Sequence, residues 1–329
     1  MKRTMTMMAL TFSLALFMPL ASAMATVPVA QDAAAEEATA YKAWYDANAA
    51  KDYPKAMELA KAFLEKFPTG KNADYLKTKW IPSMRSYFFN EAVKAKNIPE
   101  VIRIGKEVLA SDQENLDYLS ALVVQIRANE LFANPPNFAH AADASDFAER
   151  AIRLIEAGKK PTGANTDFKP NVTLAYMHQT LAVIREHDKN IDKALEEYQK
   201  AATLEPANPT YYFHCGRLHN DKYAAAAQKY QAIPEADRDA AEPKPEVKAA
   251  LEEVNKQADA VITCWARFLG LTADKKDYSA DTRARIEKAL TDLYKYRHND
   301  STDGLQKLID QNKTTPPAGA TSTAAAAKP

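Results

Sequence analysis

The chain has 329 residues with 43 basic and 43 acidic side chains, a balance that offers no general attraction for nucleic acid or anionic lipid. It holds only 8 glycines, against roughly 7 % usage in an average protein, which leaves few places for tight turns, bulges or phosphate-cradling loops. Alanine is abundant, Lys, Glu and Leu are spread throughout, and strand-like alternation is hard to find, so the composition predicts an all-α protein.

Residues 1–25 read as an export signal. Lys2 and Arg3 precede the apolar run "MMALTFSLALFMPL", and "ASA" ends at Ala23, with "AMA" ending at Ala25 as a second cleavage point. An uncleaved signal anchor is the competing reading, because the run approaches bilayer-spanning length. Pro19 and the small residues after it favour cleavage. No cysteine follows the signal, so a lipid anchor is not expected, and the bacterial-type signal places the product in the periplasm or outside the cell. Cleavage leaves 41 basic against 43 acidic residues. Cys215 and Cys264 remain; export permits a disulfide between them, while their apolar helical settings equally suit buried free thiols.

Three phrases then repeat: "KDYPKAMELAKAFLEKFP" from Lys51, "KNIPEVIRIGKEVLASDQ" from Lys96 and "KNIDKALEEYQKAATLEP" from Lys189. Each starts with a basic residue and a turn-former: Lys51-Asp52, Lys96-Asn97, Lys189-Asn190. A bulky apolar residue follows (Tyr53, Ile98, Ile191), then Pro54, Pro99 or Asp192, each suited to a helix's first turn. Ala56, Leu59, Ala60, Phe63 and Phe67 form an amphipathic stripe in the first phrase, as do Ala194, Tyr198, Ala201 and Ala202 in the third. Before each phrase lies another helical stretch ("ATAYKAWYDANAA", "SMRSYFFNEAVKA", "AYMHQTLAVIREH"), so each unit is helix, short turn, helix. The residues "NADYLKTKWIP" lengthen the helix that precedes the second phrase, with Pro82 expected to kink it.

Between the second and third phrases, residues 116–163 hold an atypical pair, "LDYLSALVVQIRANELF" and "DASDFAERAIRLIEAG". After Pro206 the pattern reopens with Asn208 as a cap and Pro209 at the first helical position; "ANPTYYFHCGRLHND" and "KYAAAAQKYQAIP" read as one further pair. "PEADRDAAEPKPE" is a loop, and "VKAALEEVNKQADAVITCWARFLGL" begins a set of three terminal helices. The tail "KTTPPAGATSTAAAAKP" lacks large apolar residues and is expected to be disordered.

Across residues 175–208 the chain resembles the tetratricopeptide repeat family. Leu181 and Ala182 take its large and small first-helix places, and Ala194, Tyr198, Ala201 and Pro206 its small, aromatic, small and proline places in the second. In the next unit Gly216 takes the small place. The spacings depart from the family: 45 residues from Ala56 to Val101 and 93 from Val101 to Ala194, against a period of about 34. The resemblance implies a right-handed superhelical solenoid of antiparallel helix pairs over residues 26–240, a helical C-terminal cap over 241–312, and a disordered tail over 313–329.

No phosphate-loop, dinucleotide, G-x-S-x-G or H-E-x-x-H pattern occurs. His214 and His219 lie about 140° apart on a helix, which does not suit a shared metal, and Cys215 falls on a core position. Glu186, His187 and Asp188 are helix neighbours that point apart. The expectation is therefore no catalytic residue, no metal and no cofactor. In the family, first helices line a groove that takes an extended peptide or a partner's helix. By register, those positions here are Tyr41, Tyr45, Asn48, Ser86, Asn90 and Lys94, then Gln179, Val183, Glu186, Phe213, Arg217 and Asn220. One subfamily grips peptide C-terminal carboxylates with a lysine and an asparagine; Tyr41 and Tyr45 stand in those places, so that specificity is not implied. The expected activity is protein–protein docking in the cell envelope. The alternative is a periplasmic solute-binding or transport-accessory protein with a small-molecule pocket, and an enzyme comes third.

Overall fold

In the computed structural model, residues 28–162, 167–275 and 278–313 are described, and all their regular structure is helical. The export signal and nearly all of the C-terminal tail lie outside the described residues. The chain divides into two compact units, one ending at Tyr87 and one beginning at Phe88.

The first unit contains α1 (Pro28–Ala49), α2 (Tyr53–Lys66) and α3 (Ala73–Tyr75), followed without a break by a π turn (Leu76–Trp80) and α4 (Ile81–Lys94), which runs on past the division. The residues "NADYLKTKWIP" lengthen the helix as expected. They do so through the π turn, where Ile81 N–H reaches back five residues to Leu76 O just before Pro82. The core of this unit is Trp44, Ala56, Ala60, Phe63, Leu76, Trp80 and Ile81.

The second unit continues with α5 (Ile98–Ser111), then α6 (Leu116–Ile126), extended by a second π turn (Arg127–Leu131), and α7 (Ala141–Glu156). Next come α8 (Pro170–His187), α9 (Ile191–Leu204), α10 (Pro209–Gln231), the single turn α11 (Glu235–Arg238), α12 (Pro245–Leu271), α13 (Ala280–Arg297) and α14 (Leu305–Gln311). From α5 to α10 each helix packs on the one after it; α12 packs on α10, α13 and α14.

The three repeated phrases build the same corner. Lys51, Lys96 and Lys189 sit in the left-handed region, with φ of 60°, 54° and 62°. At the third, Lys189 N–H donates to Glu186 O and Asn190 N–H to Arg185 O, the two bonds of a Schellman motif; the other two corners match it. Asn190 then opens the next helix, its side-chain oxygen accepting from Lys193 N–H, as Asp52 and Asn97 do from Lys55 and Glu100. One residue thus closes one helix and caps the next. Glycine holds the left-handed conformation without the Cβ penalty, so Lys189→Gly is expected to stabilise the fold by up to about 1 kcal/mol, read as a raised denaturation midpoint.

The residues after each corner bury the expected stripe: Ala56, Ala60 and Phe63 in α2, and Ala194, Tyr198 and Ala201 in α9. Ala194 is wholly buried among Ala175, Ala182 and Tyr211. Ala194→Leu should overpack this seam and cost about 1–3 kcal/mol; an unchanged melting temperature would remove Ala194 from it.

The expected pair after Pro206 is instead one helix. The 23 residues of α10 run unbroken through Asn220-Asp221, and no residue in it has positive φ. The alanine run at 224–227 carries high helix propensity, and Lys222 holds Asp192 at 2.6 Å. The partner of α10 is α12, which the sequence reading places in the cap. Cys215 and Cys264 form a disulfide between these two helices, with Cα atoms 6.0 Å apart. Beside it, a Cβ on Gly216 would come within 2.2 Å of the Trp265 ring, so only glycine allows this approach.

Candidate functional site

The site is built where α6, α8, α9 and α10 meet in the second unit. Asn115 caps α6 by accepting from Tyr118 N–H at 3.1 Å, and Leu116, Leu119, Leu122, Val123 and Ile126 bury its apolar stripe. The π turn then keeps Ile126 and Leu131, five residues apart, on the buried side. Between them stands Arg127, a lone cation at the end of an apolar run.

The Arg127 guanidinium lies over two aromatic rings, Phe132 at 4.1 Å and Tyr176 at 4.0 Å. Its Nη2 donates to Gln179 Oε1 at 2.7 Å, and its Nη1 donates to Tyr176 O and Thr180 Oγ1, each at 3.3 Å. All three acceptors are neutral. Burial pulls the guanidinium below the ordinary arginine value, and among the described residues no carboxylate bonds to it.

The facing helices contribute more polar groups than packing needs. His214 of α10 stacks on Tyr198 of α9, rings 5.0 Å apart and 6° from parallel. Burial, then Arg217 and Arg127, pushes His214 down to about 4, so it is neutral at physiological pH. Burial raises Tyr198 well above the ordinary phenol value, and Glu186 adds to the rise. The Tyr198 hydroxyl, His214 Nδ1 and the Trp265 indole nitrogen are buried without a hydrogen-bond partner among the described residues. Glu186 and Arg217 form an ion pair at 2.5 Å between α8 and α10.

Three of the groove positions read by register, Gln179, Glu186 and Arg217, are thus brought together with Arg127, Tyr198 and His214. Gln179 is not exposed as expected: it is 5 % accessible, held inward by Arg127. Phe213 also turns inward, its ring 5.5 Å from Phe268 in the C-terminal core, because α12 covers that side of α10. Val183 packs against the α8–α9 core, and Asn220 is partly exposed. Asn90 is exposed, and Lys94 pairs with Glu91 at 2.6 Å.

The remaining positions belong to the first unit. Tyr41 is partly buried against Trp44 at 4.9 Å, Tyr45 is 56 % exposed, and Asn48 accepts from Trp80 Nε1 at 3.0 Å. Ser86 is exposed. His219 donates to Gln257 Oε1 at 2.7 Å, and Cys215 is in the disulfide. Among the described residues no group of three or more His, Cys, Asp or Glu is placed to hold a metal ion, and no helix is long and apolar enough to cross a membrane.

Arg127 falls on no repeat position in the sequence, Tyr198 is marked there only as a core aromatic, and His214 only as a histidine badly placed for a metal. The signal at Arg127 is present in the sequence, a single basic residue inside "LVVQIRANELF". Tyr198 and His214 look like ordinary core positions until the unpartnered atoms are seen. No protein-family model matches the chain, and no curated protein matches it either.

Proposed function

We propose that this chain is an exported, non-catalytic docking protein of the bacterial cell envelope, a right-handed tetratricopeptide-like solenoid of antiparallel helix pairs capped by its C-terminal helices. One pair of helices has too little interior to bury its own stripe, and stacking many pairs produces a long surface as a by-product of stability. The observation that carries the reading is the set of polar groups on the π turn after α6 and on α8 and α10: Arg127 bonded to Gln179, Glu186 paired with Arg217, and His214 within reach of both arginine charges. Such a set suits the recognition of a partner's backbone and side chains, with an arginine among aromatic rings as its anchor.

The test is crosslinking in cells that express the protein, followed by capture of the mature chain, with the double variant Glu186→Ala/Arg217→Ala as the control. That ion pair is partly exposed, so its loss should change stability by no more than about 1 kcal/mol. A discrete partner held by the wild type and lost in the folded double variant is the expected result. Equal capture by both would move the contact elsewhere on the chain. Absence of any partner would favour the solute-binding alternative.

A further inference from the structure

We infer that the seam around Arg127 is a carboxylate-binding site, and that Arg127 is the residue that recognises the carboxylate. The inference rests on the docking reading above and names the chemistry of what docks. A guanidinium has five N–H donors, and among the described residues three hydrogen bonds engage this one, so two donors remain. A folded protein ordinarily supplies a buried cation with a carboxylate, because an uncompensated charge in a low-dielectric setting is costly. The carboxylates on the elements that carry the site are occupied elsewhere: Glu130, buried on the same π turn, by His140 at 2.8 Å, Glu186 by Arg217, and Glu205 by the Tyr211 hydroxyl at 2.9 Å. Tyr198 and His214 add an unpartnered hydroxyl and an unpartnered ring nitrogen on the adjoining helices, close enough for the Arg127 charge to act on both.

The site is also reachable. Arg127 is only partly buried, and Phe132, one of the rings beneath it, is 45 % exposed. Arginine with free donors over aromatic faces matches the two oxygens of a planar carboxylate, which it can hold through a pair of parallel hydrogen bonds. The carboxylate has two possible sources, a peptide (its C terminus or an acidic side chain) and a small organic acid. Both would present the same group to Arg127.

The experiment measures the melting temperature of the mature full-length protein with four probes. These are a degenerate hexapeptide pool, the same pool with every carboxyl group converted to amide, succinate, and inorganic phosphate. Native-state ligands raise the melting temperature in proportion to their occupancy. The expected result is a shift with the free pool and none with the amidated pool or phosphate. Arg127→Met should weaken binding at least about tenfold while still folding cooperatively, because it keeps the length of the stem between the two rings and removes only the partly buried charge and its hydrogen bonds to neutral acceptors. The companion Arg127→Met/Gln179→Leu removes the buried acceptor as well and guards against loss of folding from Gln179 alone. Arg127→Lys, a point charge in place of a fork, should fold and bind with intermediate strength.

A shift with succinate as large as with the free pool would support the carboxylate site and remove the peptide-docking reading. Equal shifts with the free and amidated pools would overturn the carboxylate assignment and leave docking standing. A phosphate shift equal to the others, or no shift with any probe, would overturn the assignment. So would variants that melt lower yet bind normally, since Arg127 would then be structural.

Discussion

Replacing Cys215 and Cys264 together with alanine should lower the unfolding free energy of the second unit by about 3–4 kcal/mol. The disulfide closes a loop of 49 residues, and restricting that loop in the unfolded chain accounts for a term of about 4 kcal/mol on the chain-entropy view. The bond ties α10 to α12 beside Gly216, where the Trp265 ring already lies against the α10 backbone. Denaturant unfolding of the oxidised protein, the reduced protein and the double variant would test this. Trp265 is the one tryptophan beyond Phe88, so its fluorescence reports on this unit once Trp44 and Trp80 are replaced by phenylalanine. Coincident midpoints for all three forms would show that the helices hold each other without the bond.

The second large effect is on pH dependence. His214 has a folded value of about 4 because burial, Arg217 and Arg127 all oppose its protonation, whereas in the unfolded chain it titrates near 6.5. Between those values the unfolded state binds the extra proton. The native state is therefore fully favoured above pH 6.5 and loses stability as pH falls toward 4, by about 3 kcal/mol in all. Burial lowers Arg127 from far above this window and raises Tyr198 further beyond it, so neither titrates within it. Glu197, held below its ordinary value by hydrogen bonds from His178 and Lys200 against the opposing effect of burial, contributes stability that is lost only at more acid pH. Unfolding free energies at pH 7 and pH 4.5 should differ much less in His214→Phe, which keeps an aromatic ring over Tyr198. Parallel curves for the two proteins would exclude His214 as the titrating group.

The helices were legible because stripes such as Ala56, Ala60 and Phe63 repeat at helical spacing and because Asp52, Asn97 and Asn190 announce their own caps. The unbroken α10 was not legible. Asn220-Asp221 looks like another corner, and the alanine run after it together with the packing of α12 on α10 decides against a break there. The candidate site was half visible. Glu186 and Arg217 could be placed by register in successive units, both on the first-helix face, without any longer-range information. Arg127 comes from the preceding, irregular pair, and Phe213 packs on Phe268 of α12, two elements further along the chain, so both depend on contacts that no local pattern encodes.

The lysine corners also bear on how the chain tolerates changes in length. A corner in which Asp52, Asn97 or Asn190 both finishes one helix and starts the next has no spare residue, so an insertion there would separate the two roles and splay the pair. The segments that join one pair to the next carry no such double duty. The π turns at Leu76–Trp80 and Arg127–Leu131 lengthen two of the first helices, and the links from the second π turn to α7 and from α7 to α8 are longer than the corners. An epitope or reporter spliced after Pro136 or Lys160 should therefore leave the fold intact, whereas the same splice between Lys189 and Asn190 should destroy it. In engineering terms the corners are welds, and the places to cut lie between them.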